Sequence, residues 1–151
     1  MTDLLALGRG ILAAQPFSQL LGTEMTEYSE RAVELRLAIS DKVRQQHGFV
    51  HGGVLAYLAD NALTFAGGAA MGGGVLTSDI KLNYIRPAVG ELLIARAAAL
   101  AAGRTQGVVR CEVFAVNEGV EKLCVAAQGT VAKAGSIPVE IRTQSDAGAA
   151  A

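Results

Sequence analysis

Cysteine is scarce in this 151-residue chain, with Cys111 and Cys124 the only two. They sit in strand-like segments without metal-ligand spacing, which argues against a disulfide framework and against a cysteine-built metal site. An excess of charge is also missing, because 13 Lys and Arg stand against 14 Asp and Glu. With no basic run interleaved with aromatics, nothing favours a nucleic-acid partner. A clean membrane-length apolar run is absent too. The longest contender, Val54 to Leu76, is broken by Asp60, Asn61 and Thr64 and by the glycines Gly67-Gly68 and Gly72-Gly73-Gly74, so it reads as a buried helix followed by a glycine turn. The start, Met1-Thr2-Asp3-Leu4-Leu5, lacks the basic residues and unbroken apolar stretch of a secretory signal, which points to the cytoplasm and to no membrane partner.

What is present is apolar material: 51% of the residues are hydrophobic, enough for one core and one globular domain. Leu4, Leu7, Ile11 and Leu12 recur at helical spacing after Thr2-Asp3, predicting an amphipathic helix over residues 3–14, weakened by Gly8 and Gly10 and ended by Pro16. Glu24 to Ser29 and Ala32 to Ile39 alternate around a Ser-Glu-Arg turn and predict a hairpin with one buried face. A polar loop over 40–50 leads into a helix from about Gly53 to Ala70, apolar almost all round, as a helix wrapped by other structure must be. Leu76, Ile80, Leu82 and Tyr84 alternate with Thr77, Asp79, Lys81 and Asn83, predicting a half-buried strand that stops at Pro87.

Three more strands are predicted over 91–101, 105–116 and 121–132, divided by Gly103-Arg104 and by Asn117-Glu118-Gly119. Consecutive strands joined by short turns pair antiparallel. The expected fold is therefore α+β, an antiparallel sheet wrapped around one long central helix. The domain plan is an N-terminal helix over 1–15, the main domain over 16–133 and a loose C-terminal tail over 134–151.

The chemistry concentrates at His51-Gly52-Gly53 and Asp60. A glycine-bearing helix start offers unpaired N–H groups and the positive end of the dipole, suited to an oxygen that carries or develops negative charge. Asp60 offers a base or a nucleophile. Eight residues separate Gly52 from Asp60, about 12 Å along a helix, too far to serve one carbonyl from one chain. If the pair is catalytic, a two-fold dimer must bring Gly52 of one chain to Asp60 of the other.

Pro16-Phe17 with Leu21-Gly22, Gly48-Phe49-Val50-His51-Gly52-Gly53, Leu58-Ala59-Asp60, Thr77-Ser78-Asp79 and Tyr84-Ile85-Arg86-Pro87-Ala88 occur in the order and spacing of one family. Over residues 16–133 the chain resembles the hotdog-fold acyl-CoA thioesterases of the phenylacetate-pathway (PaaI-like) group. The resemblance implies that Asp60 activates water or attacks the thioester carbon directly. It implies that the Gly52 N–H is the oxyanion donor and that Thr77 is the hydroxyl near the carboxylate, with Ser78 its neighbour on the opposite face. Gln45 stands where relatives often carry an Asn that orients water or the leaving thiolate; Gln46 or His47 are alternatives. His51 is expected to be a structural hydrogen-bonding residue near the substrate, flanked by Gly53, and Asn61 shares the polar stripe of the helix with Asp60 and Thr64.

The implied substrate is an acyl- or aryl-CoA, with CoA entering only as part of the substrate and no metal or redox cofactor required. Its phosphates need cations, and Arg86, Arg104 and Lys81 are the candidates, although any single one of them reads first as an ordinary solvated surface charge. Leu55, Leu58 and Phe65 offer an acyl pocket, although with Ala62 they also form a core stripe at helical spacing. The resemblance implies a homodimer or homotetramer. Two rival classes share the fold: an enoyl-CoA hydratase or dehydratase, and a non-catalytic acyl-CoA binding module.

Overall fold

The computed structural model describes residues 3–136. Helix α1 covers Leu4–Ala13, with Asp3 at its N-cap accepting from the Ala6 N–H, which meets one of the open donors of the first turn. Gly8 serves this helix by having no side chain. A Cβ there would lie 2.5 Å from Met25 Sδ and 2.6 Å from the Tyr28 ring, so glycine lets α1 lie directly on the sheet. A second helix that the periodicity did not predict, α2 (Pro16–Leu21), follows with Pro16 in its first turn and Gly22 ending it at φ 70°. Proline is tolerated at a helix start because its missing N–H is not needed there.

Six strands form one sheet: β1 (Glu24–Tyr28), β2 (Val33–Ala38), β3 (Val75–Tyr84), β4 (Leu92–Ala102), β5 (Gln106–Asn117) and β6 (Val120–Lys133), in the order β1-β2-β4-β5-β6-β3. All pairings are antiparallel. The hairpin rule holds for β1-β2 and for β4-β5-β6, but not for β3 and β4. Their link carries Pro87, and β3 crosses to the far edge to pair with β6.

The central helix α3 (Gly52–Met71) packs across one face of the sheet, and Leu58, Ala59, Ala62 and Leu63 are fully buried there. Leu55 and Phe65 are buried as well, so the apolar stripe at helical spacing belongs to the core. Gly67 marks the closest approach, because a Cβ there would stand 2.4 Å from Val131 Cγ2. Among the described residues, no helix is long and apolar enough to cross a membrane. Residues 134–136 form a 3₁₀ turn, and the rest of the expected tail lies outside the described residues.

One correction matters for the site. Strict alternation placed Leu76 and Tyr84 inward with Ile80 and Leu82, and Thr77 outward. The pairing instead shifts between Thr77 and Asp79, which leaves Ser78 as a bulge. One extra residue reverses the faces before the bulge: Thr77 joins Ile80 and Leu82 as half-buried while Leu76 is exposed, and Tyr84 stays on the side of Ile80 and Leu82 but is exposed at the end of the strand. The bulge is stitched to β6, with Ser78 Oγ donating to the Thr130 carbonyl at 3.1 Å and the Thr130 N–H donating to Asp79 Oδ1 at 2.9 Å.

Candidate active site

Asp60 projects half-buried from the middle of α3, and Thr77 reaches it from the inward face of β3. Thr77 Oγ1 donates to Asp60 Oδ1 at 2.6 Å, a charge-assisted geometry. Among the described residues nothing engages the other carboxylate oxygen. One oxygen is thus held and one is left open. Ser78, turned outward by the bulge, does not meet Asp60.

The start of α3 is shaped by His51, whose Nδ1 accepts from the Gly53 N–H at 2.9 Å and whose carbonyl accepts from the Val54 N–H at 2.9 Å. His51 is held in turn by its own N–H, which donates to the Val43 carbonyl at 2.8 Å. Among the described residues no acceptor takes the Gly52 N–H. The cap therefore closes the second donor of the helix and leaves the first open at the positive end of the dipole.

Tyr84 is a residue that the sequence pattern did not single out. Its hydroxyl donates to the Gly52 carbonyl at 3.1 Å and braces the glycine from β3. Two contacts thereby set α3 against β3 in opposite directions, Gly52 beside Tyr84 and Asp60 beside Thr77.

Gln45 sits in the tight loop before α3. Its N–H donates to the Phe49 carbonyl at 2.8 Å, its carbonyl accepts from the Gly48 N–H at 2.9 Å, and its side-chain oxygen accepts from the His47 N–H. Gly48, at φ 86°, permits the turn. Gln46 and His47 are exposed on the same loop.

Asn61, next to Asp60 in sequence, points elsewhere. It is buried, and its Nδ2 donates to Gln15 Oε1 at 3.1 Å and to the Tyr57 hydroxyl at 3.2 Å, beside Ser18 and Thr23. This network ties α3 to α2 and satisfies buried polar groups. Tyr57 lies one turn away on the same helix, but Gln15, Ser18 and Thr23 are distant in sequence, so no local signal marks the network.

Arg86 and Arg104 are both exposed and lie far apart. Arg86 follows the end of β3 at Tyr84, on the Gly52 side. Arg104 lies in the turn before Gln106, which pairs with Ala132 and, through it, with Leu76 at the start of β3. Eight residues of strand, roughly 26 Å, separate these levels. One chain cannot close both arginines on one phosphate. Lys81, on β3 between these levels, is exposed.

Neither cysteine is placed as a nucleophile. Both are buried, and burial, with the neighbouring Glu112 charge, pushes the Cys111 thiol up to about 12. Among the described residues no three His, Cys, Asp or Glu side chains cluster to hold a metal ion.

A single antiparallel sheet enclosing a long helix defines a hotdog-type α+β protein, and the open glycine N–H and the carboxylate on that helix suit acyl chemistry. The sequence profile of the thioesterase superfamily matches residues 47–122, a span that contains Gly52, Asp60 and Thr77. The chain belongs to the thioesterase superfamily and is a thioester hydrolase. A Halobacterium salinarum protein provisionally named an esterase is 31% identical over 118 residues, covering 74% of this chain and 78% of that protein. A solved thioesterase family protein from Silicibacter pomeroyi is 31% identical with a TM-score of 0.80, covering 83% of this chain and 93% of that one. The Escherichia coli PaaI protein of the phenylacetic acid degradation operon shares the fold, with a TM-score of 0.75 at 20% identity, covering 87% of this chain and 96% of that one.

Proposed function

We propose that the protein hydrolyses an acyl- or aryl-CoA thioester to the free acid and CoA at two composite sites in a homodimer. The observation that carries this reading is the Asp60 carboxylate, held through one oxygen by Thr77 at 2.6 Å and open at the other. The Gly52 N–H of one chain would hold the thioester carbonyl oxygen, and Asp60 of the other would drive attack. In one route Asp60 takes a proton from water as the water oxygen bonds to the carbonyl carbon. The negative charge moves to the oxygen held by Gly52, the C–S bond breaks, and the thiolate of CoA receives the proton. In the other, Asp60 itself bonds to the carbon and expels the thiolate, and water then opens the anhydride.

The dimer reading rests on the edge position of β3, a ten-residue strand with unpaired backbone groups and the exposed apolar residues Leu76, Tyr84 and Ile85 close to it. An open edge of this length calls for a partner. A two-fold axis through Lys81 would set Ile80 opposite the partner subunit's Leu82 on the inward face and, with Ser78 skipped at the bulge, Tyr84 opposite the partner subunit's Thr77. Because Tyr84 holds Gly52 and Thr77 holds Asp60, the same operation would bring Gly52 to the partner's Asp60 and carry Arg86 to that site as the cation for CoA phosphate.

Thiol release from a panel of short, long and aromatic acyl-CoAs, by wild-type protein and Asp60→Asn side by side, tests the reading. Turnover by the wild type and at least a ~10²-fold loss in the variant are expected, the scale of removing a positioned base. Binding of an acyl-CoA without cleavage would overturn it.

A further inference from the structure

An apolar cleft of about 480 Å³ lies between α1 and the C-terminal half of α3, within the size range of small-molecule sites. Its position relative to Asp60 follows from two elements. Asp60, Thr64 and Gly68 succeed one another at i, i+4 and i+8 on one face of α3, and Thr64 and Gly68 line the cleft. On β3, Val75 lines it two residues before Thr77, on the same inward side of the bulge. The cleft thus begins one helical turn from the carboxylate.

Helix α1 forms the outer wall and runs opposite to α3. At one end Gln15 is bonded to Asn61; further along, Gly8 and Gly68 both face Tyr28. From the Asp60 end outward, the wall therefore presents Ile11, then Leu7, then Leu4. Leu7 is 49% exposed and Ile11 46% exposed, an apolar surface that the core does not use. Gly68 and the Gly72-Gly73-Gly74 turn leave part of the opposite side without side chains, and among the described residues no charged residue lines the space.

We infer that this cleft receives the acyl group of the substrate, that the group is uncharged and aliphatic or arylalkyl, and that Ile11, Leu7 and Leu4 are successive rungs that set its permitted length. The inference rests on Asp60 being the hydrolytic group, since continuity with Asp60 and Thr77 is what identifies the occupant.

The chain has no tryptophan, so Ile11→Trp and Leu7→Trp each fill one rung and introduce a single emitter at a surface-accessible position. The measurement is kcat/KM for acetyl-, hexanoyl-, decanoyl- and palmitoyl-CoA with wild type and both variants, together with tryptophan emission on adding decanoate or succinate. Expected is a fall of at least ~10-fold in the decanoyl-to-acetyl ratio, the scale on which apolar pockets discriminate, with the cut-off at a shorter chain for Ile11→Trp than for Leu7→Trp. Decanoate should shift the emission to the blue and succinate should not. A uniform change across chain lengths, a reversed order of the two cut-offs, or a changed oligomeric state on gel filtration with an unchanged length profile would overturn the inference. If wild type cleaves no acyl-CoA, the hydrolytic reading fails. The emission arm then still decides the cleft, with no decanoate shift refuting it.

Discussion

Thr77 Oγ1 donates to Asp60 Oδ1 at 2.6 Å, across the gap between the edge strand and the central helix. The contact exists because the bulge at Ser78 turns Thr77 inward. A hydroxyl so placed restricts the carboxylate to one orientation. Thr77→Val keeps the shape and removes the donor. Hydrogen bonds to charged groups are worth ~1.5–3 kcal/mol, so kcat should fall roughly 10- to 150-fold with KM little changed, and Thr77→Ser should retain most activity. Because the two groups act as a unit, Asp60→Asn combined with Thr77→Val should be no slower than Asp60→Asn alone. Steady-state kinetics of the four proteins decide this; fully additive losses would mean that Thr77 acts independently of Asp60.

His51 caps α3 through Nδ1 to the Gly53 N–H at 2.9 Å. Its role can be separated from proton transfer by substitution. His51→Ala should lose ~0.5–2 kcal/mol of stability, the usual worth of an N-cap side chain. Asn, a good N-cap residue that cannot shuttle protons, should restore both stability and turnover. Thermal melts and kcat for the two variants provide the check. An Asn variant that is stable yet as slow as the Ala variant would assign His51 to the chemistry.

Periodicity was sufficient for α3 and for β4 to β6, because a long apolar helix and strands separated by turn residues leave local marks. Glu118 at φ 49° and Gly119 at φ 78° occupy the turn that Asn117-Glu118-Gly119 announced. The order of strands was not legible in the same way. Which edge β3 joins depends on residues 125–133 of β6, some fifty positions away. A bulge leaves no trace in an alternation pattern either, so Thr77 was placed on the outer face by spacing and beside Asp60 only by family resemblance. Helix α2 did carry signals, Pro16 at its start and Gly22 at its end, but six residues are too few for a periodic pattern. The network around Asn61 joins the helix neighbours 57 and 61 to residues 15, 18 and 23, and only folding brings these last three to α3.

Acid should weaken the fold through the outer face of the sheet. Glu34 accepts from Thr26 and Arg36 on one oxygen and from Arg96 on the other, and Arg96 also forks onto Glu121. Burial alone would raise the Glu34 carboxyl; the hydrogen bonds from Arg96, Thr26 and Arg36 outweigh it and hold the group below its ordinary value of 4.5. The hydrogen bond from Arg96 likewise lowers Glu121. A carboxyl whose folded value is depressed contributes stability that is complete above 4.5 and is lost as pH falls through the folded value. Urea midpoints should therefore drop on acidification below pH 4.5. In Arg96→Met that part of the acid slope should shrink while stability at neutral pH also falls. Parallel slopes in the two proteins would remove the network from the acid response.

The composite site makes the sharpest demand, on the Gly52 N–H. Gly52 is the first residue of α3, where proline is well accommodated, and His51 at φ −60° and ψ 133° already has the extended conformation that a residue before proline requires. Gly52→Pro thus deletes the N–H while leaving the helix start in place. Loss of one oxyanion donor costs ~10²–10³ in kcat, and far-UV circular dichroism should be unchanged. Gly52→Pro and Asp60→Asn damage different halves of the same site. When the two inactive variants are denatured, mixed and refolded together, a random two-fold assembly has one intact site in each mixed dimer, about a quarter of all sites. Activity should return to that fraction of wild type. If the mixture stays as inactive as its components, Gly52 and Asp60 do not serve one substrate from two chains.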